Sequence, residues 1–176
     1  GLAVGEAPEE MVARNLKAFV RRDRNHPCVV CWSIGNEIPP QSEKNPNGVN
    51  EARCSLFREA VLSEDATRPV GIGCCYTESA GRGDYAAMDL TGWNYDDRYL
   101  PMKEKYPDKP IVYSESASAF SSWGYFPATP TANPTNYDWQ TVVKIDAYDR
   151  CAARWADIPD QEFARMERDR YVAGEF

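Results

Sequence analysis

Apolar positions along the chain switch between two spacings. Over residues 9–24, Val12, Leu16, Phe19 and Val20 recur at i, i+4, i+7 and i+8, the spacing of one helical face. Pro8, Glu9 and Glu10 suit the start of that helix, and Arg21, Arg22 and Arg24 suit its end. Pro27 stops it, and Val29-Val30-Cys31-Trp32-Ser33 then reads as a strand. A loop of Pro, Asn and Gly residues leads to a second helix over about 49–62, with Ala52, Leu56, Phe57 and Ala60 on one side. Strands are predicted at 70–74 and 89–94, joined by a short connection. A short helix near 97–105 precedes a strand at 111–115, which Asp108-Lys109-Pro110 introduces. Residues 121–138 are rich in Ser, Thr, Pro, Asn and Gly and predict a long surface loop. A helix over 139–155 carries Trp139, Val142, Val143, Ile145 and Tyr148, a short helix follows near 160–167, and another strand begins at 171.

Five short apolar strands alternating with helices predict an α/β fold with parallel strands. A doubly wound sheet and a (β/α)8 barrel both fit that alternation. No internal repeat and no domain boundary is visible. Gly71-Ile72-Gly73 and Gly81-Arg82-Gly83 lack the third glycine of a dinucleotide fingerprint, so a nucleotide site is not expected.

Composition narrows the function. The 176 residues are 43% hydrophobic and 27% charged, values of a globular chain rather than a disordered one. A net charge of −7 argues against a phosphate-backbone binder, so no nucleic-acid partner is expected. No apolar run approaches the roughly 20 residues that span a bilayer, and no membrane partner is expected. The N-terminal residues carry no basic region of the signal-peptide kind. Six cysteines include Cys28-Val29-Val30-Cys31, but positions three apart on a strand face opposite ways. There is a single histidine, His26, which precedes its strand and suits a structural role. A tetrahedral metal centre is therefore not expected, nor any cofactor. Buried free thiols are the simpler reading, and they favour a cytoplasmic setting.

Two strands end in glutamate just where the chain leaves the sheet: Trp32-Ser33-Ile34-Gly35-Asn36-Glu37 and Ile111-Val112-Tyr113-Ser114-Glu115. In parallel α/β folds the C-terminal strand ends form the active face. Two carboxylates on that face suit glycosidic bond hydrolysis, one protonating the leaving oxygen and the other attacking the anomeric carbon or activating water. Glu175 ends a strand too and reads as structural, while Asp96 and Asp97 read as capping residues.

The segment from Asp23 to Glu37, containing Asn25-His26-Pro27 and Trp32-Ser33-Ile34-Gly35-Asn36-Glu37, resembles the acid/base signature of glycoside hydrolase family 2. Lys109-Pro110-Ile111-Val112-Tyr113-Ser114-Glu115 is similar to that family's nucleophile strand, and Tyr171-Val172-Ala173-Gly174-Glu175-Phe176 to the start of its eighth barrel strand. The resemblance implies a retaining mechanism with Glu37 as general acid/base and Glu115 as nucleophile. It also implies that Asn36 binds the sugar 2-hydroxyl and that Tyr95 hydrogen-bonds the nucleophile. Trp32 is divided between the core and the sugar site. Trp123, in the loop after Glu115, suits stacking on a sugar face. The wording around Gly35 looks most like β-galactosidases, because β-glucuronidases usually carry alanine there; β-mannosidases are a further alternative.

The resemblance implies a partial TIM barrel, strands four to eight, with 1–176 a fragment of a single catalytic domain. A complete (β/α)8 barrel needs about 250 residues and eight strands. The family's β-sandwich domains and first barrel strands are absent from the sequence, and the open edges call for the remainder of a parent polypeptide or a second copy to cover them. The implied substrate is a β-galactoside or oligosaccharide. The rival expectation is an inactive fragment that binds sugar weakly at most.

Overall fold

The computed structural model describes residues 7–120, 151–152 and 155–175. The chain divides into two compact units, one of Gly1–Gly92 with Leu100–Pro110 and one of Trp93–Tyr99 with Ile111–Phe176.

The first unit opens with α1 (Pro8–Asp23), where Pro8 stands at the first helical position and the Glu10 carboxylate accepts from the Ala7 N–H at 3.4 Å. Strand β1 (Trp32–Asn36) pairs in parallel with β2 (Val70–Cys74), Trp32 opposite Val70 and Asn36 opposite Gly73. Between them runs α2 (Glu51–Leu62), capped by the Asn50 side chain, which accepts from the Arg53 N–H at 2.8 Å. All five residues of β2 are buried, the pattern of a parallel strand covered on both faces. The short helices α3 (Thr77–Arg82) and α4 (Leu100–Lys105) flank β3 (Leu90–Asn94) in the chain.

The second unit takes the end of β3 together with β4 (Ile111–Glu115), α5 (Pro159–Arg168) and β7 (Val172–Glu175). It also holds a separate antiparallel pair, β5 (Ala119–Phe120) with β6 (Cys151–Ala152). Strand β4 pairs in parallel with β7, Ile111 opposite Val172 and Tyr113 opposite Glu175. Each unit thus holds a parallel strand pair with helices between successive strands, which fits the expected partial (β/α)8 barrel.

Several local expectations shift. The first strand begins at Trp32 rather than near Val29, leaving Val30 62% exposed and Cys28 exposed. The backbone just ahead of the strand is committed elsewhere: the Val29 N–H donates to the His26 carbonyl, and the Val29 carbonyl accepts from Arg68 Nε at 2.7 Å. The ladder starts where the Trp32 N–H reaches the Pro69 carbonyl at 2.9 Å. His26 itself lies exposed in the turn after α1. On α2 the inward face carries Cys54, Phe57, Ala60 and Val61, while Leu56 is exposed and Ala52 faces out. Counting Cys54 among the apolar residues moves the helical stripe by the required amount.

Neither α3 nor the β5–β6 pair was visible as a pattern. The loop expected over 121–138 lies outside the described residues. So does most of the helix expected over 139–155, but at its end Cys151–Ala152 form β6. Among the described residues Cys28, Cys31, Cys54, Cys74 and Cys75 form no disulfide. Cys54 and Cys74 are buried, and burial pushes both up to about 12. Among the described residues no helix is long and apolar enough to cross a membrane, and no cluster of His, Cys, Asp and Glu could hold a metal ion.

Candidate active site

Three non-glycine residues have left-handed backbone: Glu37 at φ 48°, Tyr95 at φ 61° and Asp96 at φ 41°. Each follows the C-terminal end of a strand, Glu37 after β1 and the other two after β3. Such conformations cost about 1–3 kcal/mol each and cluster where a side chain must be aimed.

In the first unit, the Glu37 N–H donates to the Gly73 carbonyl at 3.0 Å, which fixes the turn against the end of β2. Asn36 is the last residue of β1, next to an irregularity in the register between Ser33 and Asn36. Tyr76 stands two residues beyond β2. Burial pushes its phenol up, and the charges of Cys75 and Glu37 add to that shift. Trp32 sits at the opposite end of β1 and is 2% exposed. Its indole N–H donates to Asp65 Oδ2 at 3.0 Å, and its ring meets Phe19 edge-on at 5.2 Å. These contacts make Trp32 a core residue at the strand end remote from Glu37.

In the second unit, Glu115 is the last residue of β4, and its two carboxylate oxygens are held by the last residue of β3 and the residue after it. Asn94 Nδ2 donates to Oε1 at 3.0 Å, and the Tyr95 hydroxyl donates to Oε2. The Tyr95 N–H also donates to the Glu115 carbonyl at 2.6 Å. Asn94 is fully buried, and its Oδ1 accepts from Ser114 Oγ at 2.6 Å. The Tyr113 hydroxyl donates to the Asp96 carbonyl at 3.0 Å, which braces the left-handed turn that carries Tyr95.

The neighbouring tyrosine does a different job. Tyr99 is buried, donates to Asp169 Oδ2, and packs edge-on against Trp93, Tyr113 and Tyr171. Asp97 pairs with Arg168 at 3.3 Å, and Asp96 caps the turn through the Arg98 N–H at 3.0 Å. Trp123 lies outside the described residues.

The chemistry of this arrangement is that of an aimed carboxylate. An amide and a phenol donate to its two oxygens and fix its plane. Asn94, Ser114 and Tyr76 were missed as site residues in the sequence. Asn94 and Tyr76 carry the signal of polar groups at or just beyond the C-terminal end of a strand, and Ser114 precedes the strand-end glutamate.

Comparison with known proteins agrees with the fold. The family description "Glycosyl hydrolases family 2, TIM barrel domain" matches residues 3–148. A β-galactosidase of Bacteroides ovatus is 25% identical over 199 residues, covering 93% of this chain and 23% of that protein. A β-glucuronidase of Streptococcus agalactiae is 27% identical over 121 residues, covering 57% of this chain and 19% of that protein. Among solved structures, a β-D-glucuronidase of Dictyoglomus thermophilum superposes with a TM-score of 0.65 at 19% identity, over 95% of this chain and 28% of that one. A family 2 member from Bacteroides cellulosilyticus gives a TM-score of 0.60 at 24% identity, over 96% of this chain and 18% of that one. The chain thus spans less than a quarter of the length of these two curated relatives. It belongs to glycoside hydrolase family 2, within that family's TIM barrel domain.

Proposed function

We propose that the chain supplies the catalytic strand ends of a retaining glycosidase that releases terminal β-galactose, as part of a longer polypeptide. The observation that carries this reading is the pair of donors, Asn94 and Tyr95, on the two oxygens of Glu115. A nucleophile must be aimed, and both donors serve that end. In this reading Glu115 attacks the anomeric carbon and forms a glycosyl-enzyme. Glu37 first protonates the leaving oxygen and then, as a base, activates the water that hydrolyses the intermediate. Asn36 binds the 2-hydroxyl, and Trp123 stacks on the sugar. The galactoside preference rests on the Bacteroides ovatus relative and on Gly35; the similarity to a β-glucuronidase keeps a glucuronide as the second substrate class. Five strands of a fold that needs eight support a partner segment of the same polypeptide to complete the barrel.

The test is a panel of aryl β-galactosides, β-glucuronides and β-mannosides on the full-length enzyme. Galactoside turnover that Glu115→Gln and Glu37→Gln each abolish supports the reading. Preference for a glucuronide replaces the substrate, and near-full activity in either variant overturns the roles.

A further inference from the structure

The Glu115 carboxylate depends on an amide that could face either way. Asn94 is fully buried at the end of β3, with Nδ2 3.0 Å from Glu115 Oε1 and Oδ1 2.6 Å from Ser114 Oγ. An ionised carboxylate only accepts hydrogen bonds, so the amide nitrogen must face Glu115. Ser114 Oγ then donates to the amide oxygen, because a carbonyl oxygen cannot donate. Rotating the carboxamide by half a turn would set its oxygen against the carboxylate. The carboxylate therefore sets which end of the amide faces it, and the Ser114 hydroxyl anchors the other end and holds the carboxamide plane.

We propose that Ser114 is a positioning residue of the reaction, its hydroxyl locking the Asn94 carboxamide so that Nδ2 is presented to the Glu115 carboxylate. The inference rests on the reading of Glu115 as nucleophile. Ser114 directly precedes Glu115 on β4, so consecutive residues of one strand hold the two ends of the same amide from β3. Ser114 acts on Glu115 through the neighbouring strand and need not touch the sugar. Its loss therefore falls on the attack step rather than on substrate binding.

The experiment is steady-state kinetics of the full-length enzyme on an aryl glycoside it turns over, for Ser114→Ala, Ser114→Thr, Asn94→Ala and the double variant Ser114→Ala/Asn94→Ala. Ser114→Ala should lower kcat about tenfold with KM little changed, the size of one hydrogen bond to an aimed group. Ser114→Thr keeps the hydroxyl and should restore most of that loss. In the Asn94→Ala background, Ser114→Ala should cost little more, because the lock then has nothing to hold. A residue that merely supports the fold would give additive losses and a lowered Tm without rescue by threonine. Glu115→Gln is run beside them. Should it abolish turnover while Ser114→Ala stays within about twofold of wild type, the lock is refuted and the nucleophile stands. Additive losses in the double variant refute it equally. Should Glu115→Gln keep turnover, both fall.

Discussion

Tyr95 and Glu115 meet twice: the Tyr95 N–H donates to the Glu115 carbonyl at 2.6 Å, and the Tyr95 hydroxyl donates to the Glu115 carboxylate. The backbone contact sets the turn and the side-chain contact sets the carboxylate, so one substitution separates them. Tyr95→Phe keeps the first and deletes the second. We expect kcat on an aryl glycoside to fall by about ten- to a hundredfold in the full-length enzyme, with Tm nearly unchanged. Wild-type turnover in Tyr95→Phe would show that the hydroxyl does not serve the reaction.

Glu162 is a buried carboxyl that the proposed reaction does not use. It is 1% exposed on α5, its Oε1 accepts from Arg165 Nη1 at 3.0 Å, and its Oε2 has no hydrogen-bond partner among the described residues. Burial pushes it up to about 7; Asp157 and Asp96 push the same way, while Arg165 opposes them. A carboxyl raised in the folded state contributes stability below its unfolded value of 4.5 and loses it as pH rises through about 7. Glu162→Gln removes that dependence. Melts at a series of pH values should show wild type losing ground to the variant between about pH 4.5 and 7. Parallel curves would exclude Glu162 as the source.

What could be read in the chain follows from how local each cause is. Strands β2 and β4 are short apolar runs introduced by proline, and their bounds were legible at 70–74 and 111–115. The two strand-end glutamates were legible for the same reason. The start of β1 was not, because the Val29 carbonyl just ahead of it is taken by Arg68, 39 positions away in the chain. The β5–β6 pair was illegible because two-residue strands carry no period and pair across a long separation. Asn94 and Ser114 were missed because their roles exist only when β3 lies beside β4. Trp32 was ambiguous until Asp65 supplied an acceptor for its indole.

Asp65 gathers four donors in the first unit: Trp32 Nε1 at 3.0 Å, the Thr67 N–H at 2.9 Å, Thr67 Oγ1 at 2.6 Å and Arg68 Nη1 at 2.5 Å. The Thr67 hydroxyl and N–H, with Arg68 and Trp32 adding, hold its carboxyl well below the usual carboxylate range against the opposing effect of burial. A lowered carboxyl contributes stability above its unfolded value of 3.8 and loses it as pH falls below that. Asp65→Ala leaves the Trp32 N–H and the Arg68 guanidinium without their acceptor, and we expect a loss of about 2–4 kcal/mol at neutral pH. Denaturant melts at pH 7 and near pH 3 check this, the gap between wild type and variant narrowing at the acid end. A constant gap would assign the loss to packing alone.

Gly35 and Gly48 make a controlled contrast. A Cβ on Gly35 would stand 2.6 Å from Ile38 Cδ1, the far end of a flexible side chain that can turn away. A Cβ on Gly48 would stand 2.5 Å from the Pro39 carbonyl oxygen and 2.6 Å from the Gln41 backbone nitrogen. Those backbone groups are fixed: the Gln41 N–H donates to the Val49 carbonyl at 2.9 Å, and the Val49 N–H to the Pro39 carbonyl at 2.8 Å. The Gly48 carbonyl also accepts from Arg53 Nη1 at 2.6 Å, which ties the loop to α2. Gly35→Ala should therefore cost less than about 1 kcal/mol, and Gly48→Ala about 2 kcal/mol or more. Urea melts of the two variants read the difference directly. Because Gly35 lies two residues before Glu37, the aryl glycoside panel on Gly35→Ala also reads whether a methyl group there changes sugar choice while the fold is kept. Equal destabilisation by the two alanines would mean that Ile38 is as immobile as the loop backbone.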